Sequence, residues 1–239
     1  MVAHMDIPMT DILPENEALY LLSAWFSPSY PVGAFSYSHG LEMAIEEGLI
    51  FDQASAQSFV SDLLLHGAGH LDAQLLAAAY QAAWAGNDQK IIEIAELASS
   101  FTPTKELALE SHAQGAAFLK VTHDCWPNDA LDKLVNLWPG PYAYSITVGV
   151  AAAGARLSIE SSLTAYLHGF AANLVSALVR LVPLGQTDGQ KTTHALMPII
   201  IELVQAASPK NLNALASSTP MLDWCSMQHE TQYTRLFRS

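Results

Sequence analysis

The chain has 239 residues, 51% of them hydrophobic and 14% charged, so it can bury a sizeable core without disulfides or a structural metal. A formal net charge of −13 with only 10 Lys and Arg residues excludes a phosphate-gripping nucleic-acid surface and argues against an anionic membrane surface. The two cysteines, Cys125 and Cys225, form no CxxC pair, which excludes a zinc ribbon and fits a reducing, cytoplasmic setting.

Residues 1–4 read as a cloning scar ahead of a native Met5, and no basic region followed by an apolar run marks a secretory signal. Helix-forming Ala, Leu, Glu and Gln dominate the rest of the chain. The expected fold is all-α: a single-domain bundle of about ten helices over 1–239 with a flexible C-terminal tail over 217–239. The first helix spans 13–26 with Leu19, Leu22 and Phe26 on one face, and Pro28 and Pro31 end it. Asp52 caps a helix carrying Phe59, Leu63 and Leu64, and another follows to Ala85, closed by Gly86 and Asn87. Thr102 before Pro103 signals a helix start, because proline at the first helical position gives up only an amide that lacks an intrahelical partner. That helix runs to about His123.

After the turn Trp138-Pro-Gly-Pro141 come two apolar segments, to about Ala155 and from about Ile159 to Leu184. Alternating Ile146, Val148 and Val150 suit a strand, but the small residues 151–155 tip the segment to helix. Arg156 interrupts the first segment and His168 and Asn173 the second, so both read as buried helices rather than membrane spans. A last long segment, about 187–207, contains Pro198, which should kink or split it.

The densest cluster of special residues is 27–42, where two prolines and two glycines are interleaved with Tyr30, Phe35 and Tyr37. Proline fixes φ and glycine permits positive φ, so this is a shaped loop of the kind that builds a contact surface or simply joins two helices. It is not a hydrolase elbow, because Ser36 stands where GxSxG needs its first glycine. His66 and His70, with Asp62 a turn earlier, would share one face of a continuous helix and could hold a divalent ion. The HExxH pattern fails, because Gly67 follows His66. Residues 185–192 have the wrong register for a phosphate loop, since Gln190 separates Gly189 from Lys191. Arg180 before this glycine-rich turn suits a protein contact. The ending mixes Tyr233, Leu236 and Phe237 with Arg235 and Arg238, and either orders on a partner or packs back on its own body.

Three separated stretches carry a resemblance: 27–42 with its Pro-Val-Gly-Ala-Phe-Ser-Tyr-Ser core, 180–190 (Arg-Leu-Val-Pro-Leu-Gly-Gln-Thr-Asp-Gly-Gln), and 229–239 (His-Glu-Thr-Gln-Tyr-Thr-Arg-Leu-Phe-Arg-Ser). Together they resemble the urease accessory protein UreF family. Weaker similarity around 110–120 and 142–153 extends the match over nearly the whole chain; Cys225 departs from an expected small residue, and 124–141 carries no family pattern. The resemblance implies an all-α, non-catalytic homodimer in the cytoplasm. It implies a scaffold that bridges the D-type (in some bacteria H-type) accessory protein to the GTPase UreG, so that nickel reaches urease apoprotein, with no cofactor beyond transient nickel passage.

Carried over by position, the resemblance implies that Ser36, Tyr37, Ser38, Gly40 and Glu42 meet the GTPase. Arg180, with Pro183, Gly185 and Gln186, would lie near the dimer contact or the nickel path. His229, Glu230, Tyr233, Arg235 and Arg238 would order against the D-type protein. His66, His70, Cys225 and His229 are the weak metal candidates. The competing readings are a metal-dependent hydrolase built on His66 and His70, and a helical module holding a small molecule among Trp25, Phe35 and Tyr37.

Overall fold

The computed structural model describes residues 12–207, 212 and 215–239; the expected scar at 1–4 lies outside them. In chain order the helices are α1 (Glu15–Trp25), α2 (Leu41–Glu46), α3 (Gln53–His66), α4 (Ala68–Trp84), α5 (Asp88–Ser100), α6 (Lys105–Cys125), α7 (Asp129–Leu137), α8 (Tyr144–Gly154), α9 (Ile159–Leu181), α10 (Gln186–Ala206) and α11 (Pro220–His229). A 3-10 turn over Ala34–Ser36 precedes α2, and the described residues contain no strand.

The core is built around α8, whose residues 145–153 are all buried. An apolar helix without a polar face must be enclosed on every side, and α4, α6, α7 and α9 supply that enclosure. Small residues let the backbones approach: a Cβ on Gly149 would sit 2.6 Å from the Leu76 carbonyl oxygen of α4. On α6, a Cβ at Gly115 would lie 2.0 Å from the Tyr142 carbonyl oxygen. The region that alternates like a strand is therefore helical because its small residues serve close helix packing. Phe118 of α6 stacks edge-on with Trp25 of α1 at 5.4 Å, tying the first helix to the core.

Helix starts follow local chemistry. Asp52 and Ser55 form a reciprocal capping box at α3, and Asn87 caps α5 through the Lys90 amide. The start of α6 lies later than Thr102-Pro103 suggests: Thr104 is the cap, its hydroxyl accepting from the Leu107 amide while also pairing with Ser226 Oγ at 2.7 Å. Pro198 does not split α10, which runs as one helix from Gln186 to Ala206. Among the described residues α9 alone is long and apolar enough to cross a membrane, and half of its apolar window is buried inside the fold.

Candidate functional site: a clasp between the proline-glycine loop and the C-terminus

The loop after α1 is shaped by its own residues. Tyr30 turns inward and its hydroxyl pairs with Thr122 Oγ1 at 2.8 Å. Gly33, at φ 76°, sets the 3-10 turn, and His39 and Gly40, at φ 56° and 79°, place two left-handed residues in succession before α2. Gly40 is required twice over, because a Cβ would also lie 3.2 Å from the Ser226 amide nitrogen of α11.

This bend carries Glu42 to the chain's last residues. Its carboxylate accepts from the backbone N–H of Leu236 at 2.7 Å and of Phe237 at 3.0 Å. His229 closes the same network, with Nε2 3.3 Å from Glu42 and Nδ1 2.7 Å from Glu106 of α6. Arg235 donates to the other Glu106 oxygen at 3.0 Å. Farther along, Ser239 Oγ donates to Glu110 at 2.8 Å, and the Ser38 N–H donates to the Ser239 carbonyl at 2.7 Å. The Ser38 hydroxyl donates to the same carbonyl, and the Arg238 N–H donates to Ser36 O at 2.8 Å. Arg180 caps the arrangement, its guanidinium 4.5 Å from the Phe237 ring centroid and within 3.3 Å of the Phe35 carbonyl oxygen.

The structure thus gathers residues expected to lie on separate surfaces. His229 joins Glu42, and Arg180 joins the tail rather than Pro183, Gly185 and Gln186, which are exposed at the α9–α10 turn. The tail packs back on its own body, stapled by backbone and carboxylate bonds. Of the five residues expected to meet the GTPase, Tyr37, Ser38, Gly40 and Glu42 are buried, Ser38 and Glu42 bonding the chain's last residues; Ser36 is partly exposed. His229 is fully buried, whereas Glu230, Tyr233, Arg235 and Arg238 are exposed. Two features escaped sequence reasoning. Glu106 and Glu110 anchor the clasp from α6, and an i, i+4 pair of glutamates gives no hint that its partner lies at the chain's end. Phe35, 67% exposed, takes the outward place expected of Tyr37.

The metal candidates do not assemble. Gly67 breaks the chain into α3 and α4, so His66 and His70 lie on different helices and lose the shared face that their spacing suggested. Both His229 nitrogens already face carboxylates, and burial pushes the Cys225 thiol up to about 11, which disfavours the thiolate a metal would need. Among the described residues no group of three or more His, Cys, Asp or Glu side chains is placed to hold a metal ion. The small-ligand alternative finds a real feature: Trp25 and Phe35 line a cavity of about 530 Å³, although Tyr37 does not.

Comparison with known proteins decides the family. The UreF family model matches residues 50–197, more than half of the chain. The chain belongs to the UreF family. A UreF from Rhodopseudomonas palustris (strain HaA2) is 44% identical over 225 residues, covering 94% of this chain and 95% of that one. A UreF from Methylobacterium sp. (strain 4-46) is 45% identical over 222 residues, covering 93% and 88%. One from Bradyrhizobium sp. (strain BTAi1 / ATCC BAA-1182) is 42% identical over 238 residues, covering 99% and 97%. All three are named urease accessory proteins. The role that UreF membership implies is in urease maturation. The Bradyrhizobium alignment, covering 99% of this chain, spans the clasp as well as the helical body, although the family model begins only at residue 50, after the proline-glycine loop.

Proposed function

We propose that the protein is the linking member of a urease-maturation assembly: a cytoplasmic homodimer that joins the D-type (H-type) accessory protein to the GTPase UreG while nickel passes, as cargo, toward urease apoprotein. The observation that carries this reading is the clasp, which uses buried carboxylates to position a loop and a terminus and leaves side chains of both facing outward. A rigid frame under exposed aromatic side chains suits recognition, because aromatic anchors gain most when they are already ordered.

The outward groups fall into two sets. Phe35, beside Ser36, projects from the loop and is the proposed contact to the GTPase. Met221, Trp224 and Met227 recur every three residues along the outer face of α11 and continue into exposed Tyr233 and Leu236. With Glu230, Arg235 and Arg238 at its rim, this face is the proposed contact to the D-type protein. Pro183, Gly185 and Gln186 are proposed for the dimer contact.

Co-expression with the two partners followed by size-exclusion chromatography tests the assignment. Phe35→Ala should lose the GTPase and keep the D-type protein; a Trp224→Ala, Tyr233→Ala pair should do the reverse, each with unchanged circular dichroism. If both folded variants still co-elute stoichiometrically with both partners, the assignment fails.

A further inference from the structure

The cavity of about 530 Å³ opens between the proline-glycine loop and helices α1, α4, α6, α9 and α11, and its volume falls in the range of roughly 300–1,000 Å³ typical of small-molecule sites. Its charge is one-sided. Asp72, Glu110 and Asp223 line it together with His39 and His168, and among the described residues no Lys or Arg does. Aromatic faces supply much of the wall, among them Phe26, Tyr30, Phe101, Tyr144 and Phe170.

Trp25 and His39 line the cavity as buried side chains whose hydrogen-bonding capacity is not filled among the described residues. Trp25 is 1% exposed and its Nε1–H has no partner; His39, its side chain 9% exposed, has Nδ1 3.3 Å from Glu110 and no partner at Nε2. Buried indole and imidazole nitrogens are nearly always satisfied in folded proteins, so unpaired ones on a cavity wall mark where a bound molecule would complete them. Asp72 is held in place by the Tyr166 hydroxyl, which donates to it at 2.5 Å.

We propose that this cavity binds a small organic ammonium ion that has an aromatic or aliphatic body and one hydrogen-bond-accepting oxygen. The ammonium group meets Asp72 and its neighbouring carboxylates against aromatic faces, an arrangement that attracts cations through both charge and ring quadrupole. The accepting oxygen satisfies the Trp25 N–H. A neutral molecule would bring no positive charge to Asp72 and Asp223, since His39 faces Glu110 at 3.3 Å, and a bare metal ion would leave the apolar wall and the indole unused. Burial holds the Asp72 carboxyl above the usual carboxylate range, so an arriving cation would favour its ionised form.

The experiment is isothermal titration of the full chain with tyramine as probe, with 4-ethylphenol as its uncharged counterpart and a divalent metal chloride as a third titrant. Saturable tyramine binding at one site per chain is expected, with 4-ethylphenol weaker by about tenfold or more and Asp72→Asn weakening tyramine by about tenfold. Should Asp72→Asn not fold, Asp223→Asn is the deciding variant, with loss of the same sign. Equal binding of the charged and neutral probes overturns the proposal, as does no saturable tyramine binding up to about 10 mM. Asp72-dependent binding of the metal ion in place of tyramine also overturns it. None of these outcomes bears on partner assembly, which co-elution tests separately.

Discussion

The Ser38 amide donates to the carbonyl of Ser239 at 2.7 Å, joining the end of the proline-glycine loop to the final residue of the chain across a separation of 201 positions. Loop and terminus therefore form one structural unit, and a change in either should be felt in both. Glu42 gives the sharpest test. Replacing it with Ala leaves the Leu236 and Phe237 amides and one side of buried His229 without a partner. Losing one member of such a network costs about 3 kcal/mol, far more than an exposed pair. Urea denaturation should show that loss, and hydrogen exchange should show the amides of residues 236–239 losing protection. Retained protection would mean that the remaining contacts suffice to hold the terminus.

Phe35 and Tyr37 should behave oppositely although only Ser36 separates them. Tyr37 is 3% exposed, so Tyr37→Asp buries a carboxylate and should unfold the loop; any lost partner binding would then be indirect. Phe35→Ala removes a side chain that is 67% exposed and should shift stability by no more than about 0.5 kcal/mol. Thermal melts of the two variants side by side separate structural from contact roles.

Arg180 covers Phe237 and reaches the Phe35 carbonyl, so it bridges the two halves of the clasp from outside. Arg180→Ala should cost about 1 kcal/mol, the range of an exposed cation–π contact, and Arg180→Lys should recover part of it because charge over the ring survives while the forked donation to Phe35 does not. Equal stability of all three proteins in chemical denaturation would show that the contact contributes nothing.

Much of the helical frame was legible because its signals are local. Asp52 caps the helix it was expected to cap, and Gly86 ends α4 as a left-handed residue after a helix should; Asn87, read as part of that same close, instead caps α5. The clasp was legible only in pieces. The loop and the ending each stood out by composition, but pairing Glu42 with Leu236, or Ser38 with Ser239, is a tertiary fact with no local signature. The same reason explains the two misplacements. Tyr37 and Phe35 have similar aromatic character, and only the 3-10 turn set by Gly33 determines which points outward. His66 and His70 have the spacing of one helical face, and only the backbone break at Gly67 (φ −111°, ψ −142°) removes it.

Helix packing around α8 makes its own prediction. A Cβ at Gly149 would lie 2.6 Å from the Leu76 carbonyl oxygen and 3.2 Å from Ala79 Cβ, both on α4, and backbone cannot move aside without separating the two helices. Gly149→Ala should therefore destabilise by about 3 kcal/mol despite the higher helix propensity of alanine, which by itself would favour the variant by roughly 1 kcal/mol. A variant as stable as the parent in urea would show that α4 and α8 can separate at little cost.

The pH dependence of stability should carry the signature of His39. Burial by itself lowers its pKa, but Glu110 at 3.3 Å, with Asp72 and Asp223 beyond, outweighs burial and raises it above the ordinary value of 6.5. Those carboxylates come from α6, α4 and α11, while α9 contributes the Phe170 ring, 5.3 Å away and edge-on. From about pH 6.5 upward the unfolded chain releases a proton that the folded chain keeps, so the native state binds more protons and stability falls as pH rises through the folded pKa. Asp72 and Asp223, both raised chiefly by burial, act with the same sign in a window that opens lower, from 3.8. His39→Asn isolates the histidine, because asparagine tolerates the left-handed φ of 56° without titrating. The urea midpoint of the parent should decline above pH 6.5 more steeply than that of the variant. Parallel declines in the two proteins would show that His39 stays neutral beside Glu110.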